Sequence, residues 1–187
     1  MNSNDIPIIE TKNYILRGLR MKDAPVLFSF MSDLEIMQYI TSTPVKTVTE
    51  MNEQIHKSLL LFERKKEIPW VIMDKNNEKI IGVFRFHKLN FWHLKTEMGV
   101  VLAKTFQKKG VMTELLPHIL SFGFTELGLN RIVGDIFAEN EGSRKLLERQ
   151  GFQKEGVLRQ TDFDGNRYHD TIVYSMLRAE YEAILGG

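Results

Sequence analysis

One stretch near the middle of the chain constrains the fold more than any other. Residues Glu97–Leu102 have the sequence Glu-Met-Gly-Val-Val-Leu, which is typical of a buried strand. A short basic loop, Gln107–Thr113, follows with a glycine at position 110. Beyond it, apolar residues recur at the spacing of one buried helix face: Met112, Leu115, Leu116, Ile119, Leu120, Phe124 and Leu127. The pattern predicts a strand joined by a glycine-containing turn to a helix from about Gly110 to Leu127.

This turn has the chemistry of an anion-binding site. Backbone N–H groups at the start of a helix have no partner within the helix, and the helix dipole adds partial positive charge there. Gly110 allows a tight turn and lets a phosphate approach the backbone. We interpret the loop as a cradle for a pyrophosphate. An ordinary connecting loop fits this stretch equally well, and the loop has neither the Walker A nor the Rossmann glycine spacing.

Composition excludes several classes of function. The chain has 187 residues, enough for one domain spanning residues 1–187. Lysine and arginine number 25 and aspartate and glutamate 24, so a net charge of +1 gives no reason to expect nucleic-acid binding. Because there is no cysteine, disulfides, thiolate metal sites and a cysteine nucleophile are excluded. The histidines lack metal-ligand spacing, so no metal site is predicted.

The hydropathy pattern predicts a protein that does not enter the membrane. No apolar run approaches the roughly 18 residues that a membrane-spanning helix needs. The first ten residues are polar and lack the apolar core of a signal peptide. A cytoplasmic location is therefore expected.

Taken in order, the periodicity predicts a mixed α/β layer with helices on both faces. The predicted strands are Tyr14–Arg20, Trp70–Met73, Lys79–Phe86, His93–Leu102, Arg131–Ala138, Gly156–Thr161 and Tyr168–Leu177. Besides the helix after Gly110, helices are predicted at Asp23–Met31, Asp33–Ile40, Thr49–Lys65, between Asn140 and Gly151, and at Arg178–Leu185. Asp23 and Asn140 are expected to cap their helices, and Pro117 is expected to kink the helix that contains it.

Four motifs, in this order along the chain, resemble the GNAT superfamily of acetyltransferases and, more narrowly, its RimJ/RimL branch of ribosomal-protein N-terminal acetyltransferases. They are the strand Glu97–Leu102, the loop Gln107-x-x-Gly110-x-Met112, the pair Asn140-x-x-Ser143 followed by Gly151-Phe152, and the hairpin Asp164-Gly165-x-x-Tyr168-x-Asp170. The resemblance extends from about Tyr14 to Leu177. Met112 departs from the usual glycine or alanine, so its side chain is expected to point into the core.

The resemblance implies a GNAT fold, a twisted and mostly antiparallel sheet of about seven strands. Its fourth and fifth strands are parallel and splay apart around the pantetheine arm of acetyl-CoA. Carried over to this chain, the arm would be held by Gly99, Val100, Val101 and Leu102, and by Asn140. The pyrophosphate would be held by Gln107, Lys108, Lys109, Gly110, Val111, Met112 and Thr113. A solvated basic loop remains the alternative for the two lysines, and a helix cap is a compatible role for Asn140.

The implied reaction is direct attack of an amine on the acetyl-CoA thioester, which needs an acceptor for the amine proton. Glu97 and Asp162 are the candidate bases, with an ordinary surface carboxylate as the alternative for each. Ser143 would protonate the departing thiolate; a first-turn serine that bonds the backbone is the alternative. A backbone N–H group of Val100 or Val101 would polarise the thioester carbonyl.

The predicted acceptor is a protein or peptide N-terminal α-amine, in a site shaped by the helices between Asp23 and Lys65. A small-molecule amine and a non-catalytic acyl-CoA-binding module are the alternatives. The family also implies a homodimer through the C-terminal hairpin. In that hairpin, His169 either pairs with Asp170 or belongs to a plain polar strand face.

Overall fold

The computed structural model describes residues 5–186. Within this range the strands form one eight-stranded sheet. The spatial order is β1-β2-β3-β4-β5-β6-β8-β7. The strands are β1 Ile9–Glu10, β2 Tyr14–Gly18, β3 Ile68–Asp74, β4 Lys79–Asn90, β5 Lys95–Leu102, β6 Arg131–Phe137, β7 Gln153–Phe163 and β8 Tyr168–Leu177. The strand beyond the predicted seven is β1, which at two residues is too short to produce an alternating pattern.

Six α-helices lie between or after these strands in the described residues: α1 Ala24–Met31, α2 Leu34–Met37, α3 Val48–Glu63, α4 Val111–Ser121, α5 Glu141–Arg149 and α6 Arg178–Gly186. All were predicted, although α2 is shorter than the sequence indicated. In α4, α-helical geometry runs through Pro117 and gives way to a π-helical turn at Phe122–Glu126. The irregularity in this helix therefore lies beyond the proline where a kink was expected.

Helices cover both faces of the sheet, as predicted. One core contains the buried side of α4 together with Leu147 of α5 and Tyr181 of α6. The other contains residues of α1, α2 and α3, packed against Val71 of β3 and Val101 of β5. Since successive strand residues alternate between faces, each strand residue is assigned to one of these two sides.

The cap predicted at the start of α1 is wrong. The Asp23 side chain makes no cap hydrogen bond to α1. It accepts two bonds of 2.8 Å from the Arg17 guanidinium and one of 2.9 Å from Arg20 N–H, the latter as part of the capping box of the 3₁₀ turn Met21–Asp23. Asp23 is only 3% exposed, so a charged partner is needed to stabilise its carboxylate there. The buried pair ties the end of β2 to α1.

The one parallel pair among the strands is β5 and β6, and its register explains where the sheet opens. The strands pair over three positions: Lys95 with Arg131, Thr96 with Ile132, and Glu97 with Val133. In contrast, β5 stays paired with β4 as far as Leu102. Beyond Glu97 the parallel strands have therefore separated, which confirms the predicted splayed pair. All other neighbouring strands are antiparallel.

Candidate active site

The turn before α4 has the geometry expected of an anion cradle. Gly110 is the N-cap and has φ +79°, a left-handed conformation that favours glycine. The first helical hydrogen bond runs from Glu114 N–H to the Gly110 carbonyl, at 3.0 Å. The N–H groups of Val111, Met112 and Thr113 come before that bond and have no acceptor within the helix. A Cβ added at Gly110 would meet nothing within 4 Å, so a ligand can approach the backbone here.

Met112 lies in the core and leaves this approach clear. Its side chain is 8% exposed and packs in the cluster beneath α4, as predicted. Because the side chain points away from the turn, a methionine at this position does not crowd a ligand above Gly110. Thr113, one residue later, is exposed.

The basic loop is anchored to the end of β5. The Gln107 side-chain amide donates a hydrogen bond of 3.0 Å to the Leu102 carbonyl. The Lys109 ammonium lies 5.6 Å from the centre of the Phe106 ring, within the range of a cation–π contact. Lys108 is exposed and has φ +58°. The loop thus holds two lysines beside the helix start, where their positive charge favours an anion.

The separated edge of β5 leads away from this cradle. Gly99 and Val101 lie on the face covered by α1–α3, whereas Val100 and Leu102 lie on the α4 face. Beyond Glu97, the backbone N–H and C=O groups of β5 that face β6 are not paired with that strand. An exposed strand edge of this kind pairs well with amide groups. Cradle and edge together fit a diphosphate that continues into an amide-containing arm, which is the chemistry of coenzyme A.

Asn140 and Ser143 lie at the start of α5, on the other side of the gap. The Asn140 side-chain oxygen accepts a 3.0 Å hydrogen bond from Ser143 N–H, which confirms the predicted cap. Because the cap uses one lone pair of the oxygen, the NH2 group of Asn140 stays available to donate a hydrogen bond to a ligand. Ser143 is half-buried in the first turn. Gly134 lets α5 approach β6 closely, since a Cβ there would lie 3.0 Å from a Leu147 methyl group.

The two predicted bases lie on the α1–α3 face, and each has a partner. Glu97, the last residue of β5 before the strands separate, forms an ion pair of 2.7 Å with Lys88. The Asp162 carboxylate accepts a hydrogen bond of 2.5 Å from the Thr171 hydroxyl. The negative charges of both carboxylates raise the pKa of Asp135, which lies on β6 between their strands.

Asp135 was missed in the sequence. It is two residues beyond Val133, so it lies across the gap from Gly99, on the same face as Glu97. The Asp135 side chain is exposed at the gap, yet partial desolvation by the surrounding strands raises its pKa, and the Glu97 and Asp162 carboxylates raise it further. Alternation in the strand Arg131–Phe137 would have identified a lone carboxylate facing away from the apolar core, but only the strand register places it opposite Gly99.

His87 adds an uncharged imidazole to this face. It pairs with Glu97 across the β4–β5 ladder, and its Nε2 atom lies 3.8 Å from the position of a Cβ on Gly99. Burial, with help from the positive charge of Arg85, lowers the pKa of His87 to about 4. His87 is therefore neutral at physiological pH.

A cavity of about 450 Å³ lies between α1–α3 and β3–β5. It reaches the backbone of Gly99–Val101, beside the opening of the sheet. Most of its walls are apolar, and charged groups enter from Lys57, Glu67 and Arg85. The segment between Asp23 and Lys65, whose helices were predicted to shape an acceptor site, supplies much of the lining from α1–α3 and from the connection between α2 and α3: Leu27, Met31, Met37, Ile40, Thr41, Thr43, Met51, Gln54, Ile55, Lys57, Ser58 and Leu61.

The proposed pairing of His169 with Asp170 is wrong. His169 is buried and lies between two other carboxylates, with Nε2 2.6 Å from Asp164 and Nδ1 3.1 Å from Glu139. Its ring stacks on Phe137 at 5.0 Å. Asp170 points to the other side of its strand and accepts a bond from Gln160 N–H. The imidazole therefore joins the β7–β8 hairpin to the segment after β6.

This arrangement predicts a pH-dependent contribution to stability. The hydrogen bond to Asp164 is the main reason that the pKa of His169 is raised from 6.5, and hydrogen bonds lower the pKa of Asp164 from 3.8. Because folding raises the pKa of His169, this histidine contributes its full stabilisation at a pH below its pKa in the unfolded chain. The contribution is lost as the pH rises through its pKa in the folded protein. A lowered aspartate pKa has the opposite dependence. The Tm difference between wild type and His169→Gln should be largest between these two reference values and shrink at alkaline pH; a difference that does not change with pH would contradict it.

Two further properties of the described residues bear on function. Over residues 5–186, no group of three or more histidine, aspartate or glutamate side chains is placed to hold a metal ion. No helix in this range has both the length and the apolar character needed to cross a membrane.

Comparisons with known proteins identify the family to which the chain belongs. Residues 13–153 match the acetyltransferase (GNAT) domain family. The uncharacterized N-acetyltransferase YoaA of Bacillus subtilis is 34% identical over 172 residues, which are 92% of this chain and 97% of the relative. The structure of spermidine N-acetyltransferase from Vibrio cholerae with CoA and spermine is 26% identical, with a TM-score of 0.82 over 91% of this chain and 98% of that one.

A second solved structure shares the fold at lower identity. RimL, the ribosomal L7/L12 α-N-protein acetyltransferase in complex with coenzyme A, is 22% identical with a TM-score of 0.84, over 91% of this chain and 98% of that one. The family match covers well over half of the chain, and GNAT enzymes use acetyl-CoA as their acyl donor. This chain belongs to the GNAT family of acetyltransferases.

Proposed function

We propose that this acetyltransferase transfers the acetyl group of acetyl-CoA to the N-terminal α-amine of a protein or peptide. The observation that carries the proposal is the cavity of about 450 Å³ beside Gly99–Val101. Its mainly apolar walls suit the first side chain of a peptide. Its charged lining residues, Lys57, Glu67 and Arg85, give a formal surplus of one positive charge. A polycation gains little from such a lining, whereas a single α-ammonium group entering by the carboxylates at the opening is attracted to them.

The acyl donor occupies the opposite side in this proposal. The N–H groups around Gly110 and the ammonium groups of Lys108 and Lys109 hold the diphosphate. The β5 edge from Gly99 to Leu102 and the Asn140 NH2 group hold the pantetheine amides. This arrangement brings the thioester to the point where β5 and β6 separate, with the cavity on the α1–α3 side. A backbone N–H group of Val100 or Val101 stabilises the charge that develops on the thioester oxygen.

Transfer then proceeds by direct attack. The neutral amine forms a bond to the thioester carbon, the carbon–sulfur bond breaks, and the amine loses a proton. We assign the proton to Asp135, either directly or through a water, with Glu97 beside it; Asp162, bonded to Thr171, contributes charge. The raised pKa makes Asp135 a stronger base than an ordinary aspartate. Ser143, half-buried at the N-terminus of α5, donates a proton to the departing thiolate.

A small amine is the second candidate. The observation in its favour is the 26% identity to a spermidine acetyltransferase whose structure holds CoA and spermine. The carboxylates at the opening, Glu97, Asp135 and Asp162, would attract such a cation as well as a peptide N-terminus. The positive surplus in the cavity repels the additional ammonium groups of a polyamine. A peptide brings a single α-ammonium group, so the charge of the cavity favours the peptide.

A thiol-release assay with acetyl-CoA separates the two candidates. Peptides with different first residues, the same peptides blocked at the N-terminus, and spermidine serve as acceptors, with mass spectrometry to locate the acetyl group. Free peptides are expected to be acetylated only at the α-amine, with a kcat/KM at least tenfold above that of spermidine. A higher kcat/KM for spermidine, or acetylation of N-terminally blocked peptides on lysine, would contradict the proposal.

A further inference from the structure

Glu67 is a buried carboxylate that the reaction described above does not use. It precedes β3 and is 3% exposed, yet it lines the same cavity as Gly99–Val101. Its Oε1 atom accepts no hydrogen bond from any residue in the described range 5–186. A buried acceptor without a donor costs about 1–3 kcal/mol, so such groups are rare unless they have a role.

The surroundings of Glu67 define the kind of donor that suits it. Burial raises its pKa, and the Ser58 hydroxyl, Arg85 and Lys57 act in the opposite direction. Two cations already act on this carboxylate, so a third on the ligand would be repelled by both. A neutral donor, such as a hydroxyl or an amide NH2 group, completes the hydrogen bonding without adding charge.

The sheet register places Glu67 at a useful distance from the reaction. Pro69 pairs with Arg85, and Arg85 pairs with Gly99, so two strand spacings, about 10 Å, separate Pro69 from Gly99. Glu67 lies two residues before Pro69 and so has its side chain on the same face. Two residues along the chain add about 7 Å, so the Glu67 and Gly99 backbones are roughly 12 Å apart. Because Glu67 and Gly99–Val101 line the same cavity, an acceptor whose amine lies at Gly99–Val101 can extend its first side chain toward Glu67.

We propose that Glu67 determines acceptor specificity by accepting a hydrogen bond from a neutral hydroxyl or amide group on the first side chain of the acceptor. The proposal deepens the peptide acetyltransferase function and rests on it for the position of the amine. Glu67 would accept this hydrogen bond in the interior of the cavity, at a distance from the carboxylates Glu97, Asp135 and Asp162 at the opening. A peptide whose first side chain has no hydroxyl or amide group leaves the buried Glu67 oxygen without a hydrogen bond. The enzyme can therefore discriminate strongly between such a peptide and one that supplies the bond.

The test uses peptides that differ only in the end group of the first side chain. Homoserine and asparagine present a hydroxyl and an amide where norvaline has a methyl group, and diaminobutyrate presents an ammonium. Wild type is expected to prefer the first two over norvaline by at least tenfold in kcat/KM. In Glu67→Met, of similar size but unable to accept the bond, the preference should fall to about one, while the KM for acetyl-CoA changes little. Glu67→Gln, which keeps an acceptor oxygen, should retain part of the preference.

Stability distinguishes this role from a structural one. Glu67→Met removes the cost of burying an incompletely hydrogen-bonded carboxylate together with its favourable interactions with Ser58, Arg85 and Lys57, so its Tm should stay close to that of wild type. A lower Tm with equal loss for all acceptors would mean that Glu67 supports the fold, and would overturn the proposal. Equal rates for homoserine and norvaline in wild type would overturn it too, as would a preference that survives in Glu67→Met or a preference for diaminobutyrate.

The outcome for Glu67 is separable from that for the peptide function. If no peptide is acetylated, the peptide function fails, and aminobutanol against pentylamine repeats the comparison of hydroxyl with methyl on small amines. Binding of these two amines to the CoA-loaded enzyme, measured by calorimetry, gives the same ratio without turnover. A preference for aminobutanol that Glu67→Met abolishes supports the role of Glu67 alone. Equal affinity, or no binding of either amine, overturns it.

Discussion

Replacing Gly110 by valine is expected to raise the KM for acetyl-CoA by about 10- to 100-fold. This range corresponds to about 1.4–2.7 kcal/mol, the loss expected when one or two hydrogen bonds to a charged phosphate are removed. Two effects act together. At φ +79° a β-branched residue is strained, so the turn shifts, and the new side chain enters the open space above the backbone where the diphosphate is proposed to lie. Steady-state kinetics with acetyl-CoA as the varied substrate measures the change.

Gly165→Val is the matched control. Gly165 also has a positive φ, +95°, and also has nothing within 4 Å of an added Cβ, but it lies in the β7–β8 turn. Its replacement carries a similar backbone strain at a position remote from the cradle. The KM for acetyl-CoA should therefore stay near the wild-type value in Gly165→Val. Equal rises in the two variants would show that general strain, and not loss of phosphate binding, causes the effect at Gly110.

Replacing Asp135 by asparagine is expected to lower kcat by about 100-fold, within the range typical for loss of a general base. The substitution keeps the shape of the side chain and removes its ability to accept a proton. The KM for acetyl-CoA should change little, because Asp135 lies on the acceptor face. In wild type the rate should fall as pH drops through the raised pKa of Asp135, since only the deprotonated carboxylate can act as base. That limb of the pH–rate profile should be missing in Asp135→Asn.

The neighbouring carboxylates provide the comparison. Asp162→Asn should cost less than about fivefold, because this carboxylate is already bonded to Thr171 and contributes charge at a greater distance. Glu97→Gln should have an intermediate effect and should lower the pKa seen in the profile, since the Glu97 charge raises the pKa of Asp135. If all three variants keep the wild-type profile, solvent must accept the proton and the assignment of Asp135 is wrong.

Local signals in the sequence were sufficient to predict the two helix starts where we place the acyl donor. The apolar repeat in α4 and the glycine before it fixed a helix start, and Met112 had to face the core because it belongs to that repeat. Asn140 was recognisable as a cap because capping depends on residues three positions apart. Each of these features involves neighbours along the chain, where helical geometry is known in advance.

The acceptor side depends on distant pairings, and there the sequence was less informative. Asp135 became a candidate only when the β5–β6 register placed it across from Gly99. For His169 the sequence left open a pair with the adjacent Asp170 or a plain polar strand face. Adjacent strand residues point to opposite faces, and the ring instead contacts Asp164 in the turn and Glu139 in the segment after β6. In the sequence, Glu67 follows Lys66 in a charged run that is typical of an exposed connection. No neighbouring residue indicates that its side chain is buried under α3 beside the cavity.

A crystal structure of this enzyme with coenzyme A tests the central claim most directly. The diphosphate is expected within hydrogen-bonding distance of the N–H groups between Lys108 and Thr113. The pantetheine amides are expected to pair with the β5 backbone between Gly99 and Leu102, with the sulfur pointing to the cavity that Glu67 lines. A coenzyme whose phosphates lie away from Gly110, or whose arm leaves the gap between β5 and β6 unused, would contradict the account.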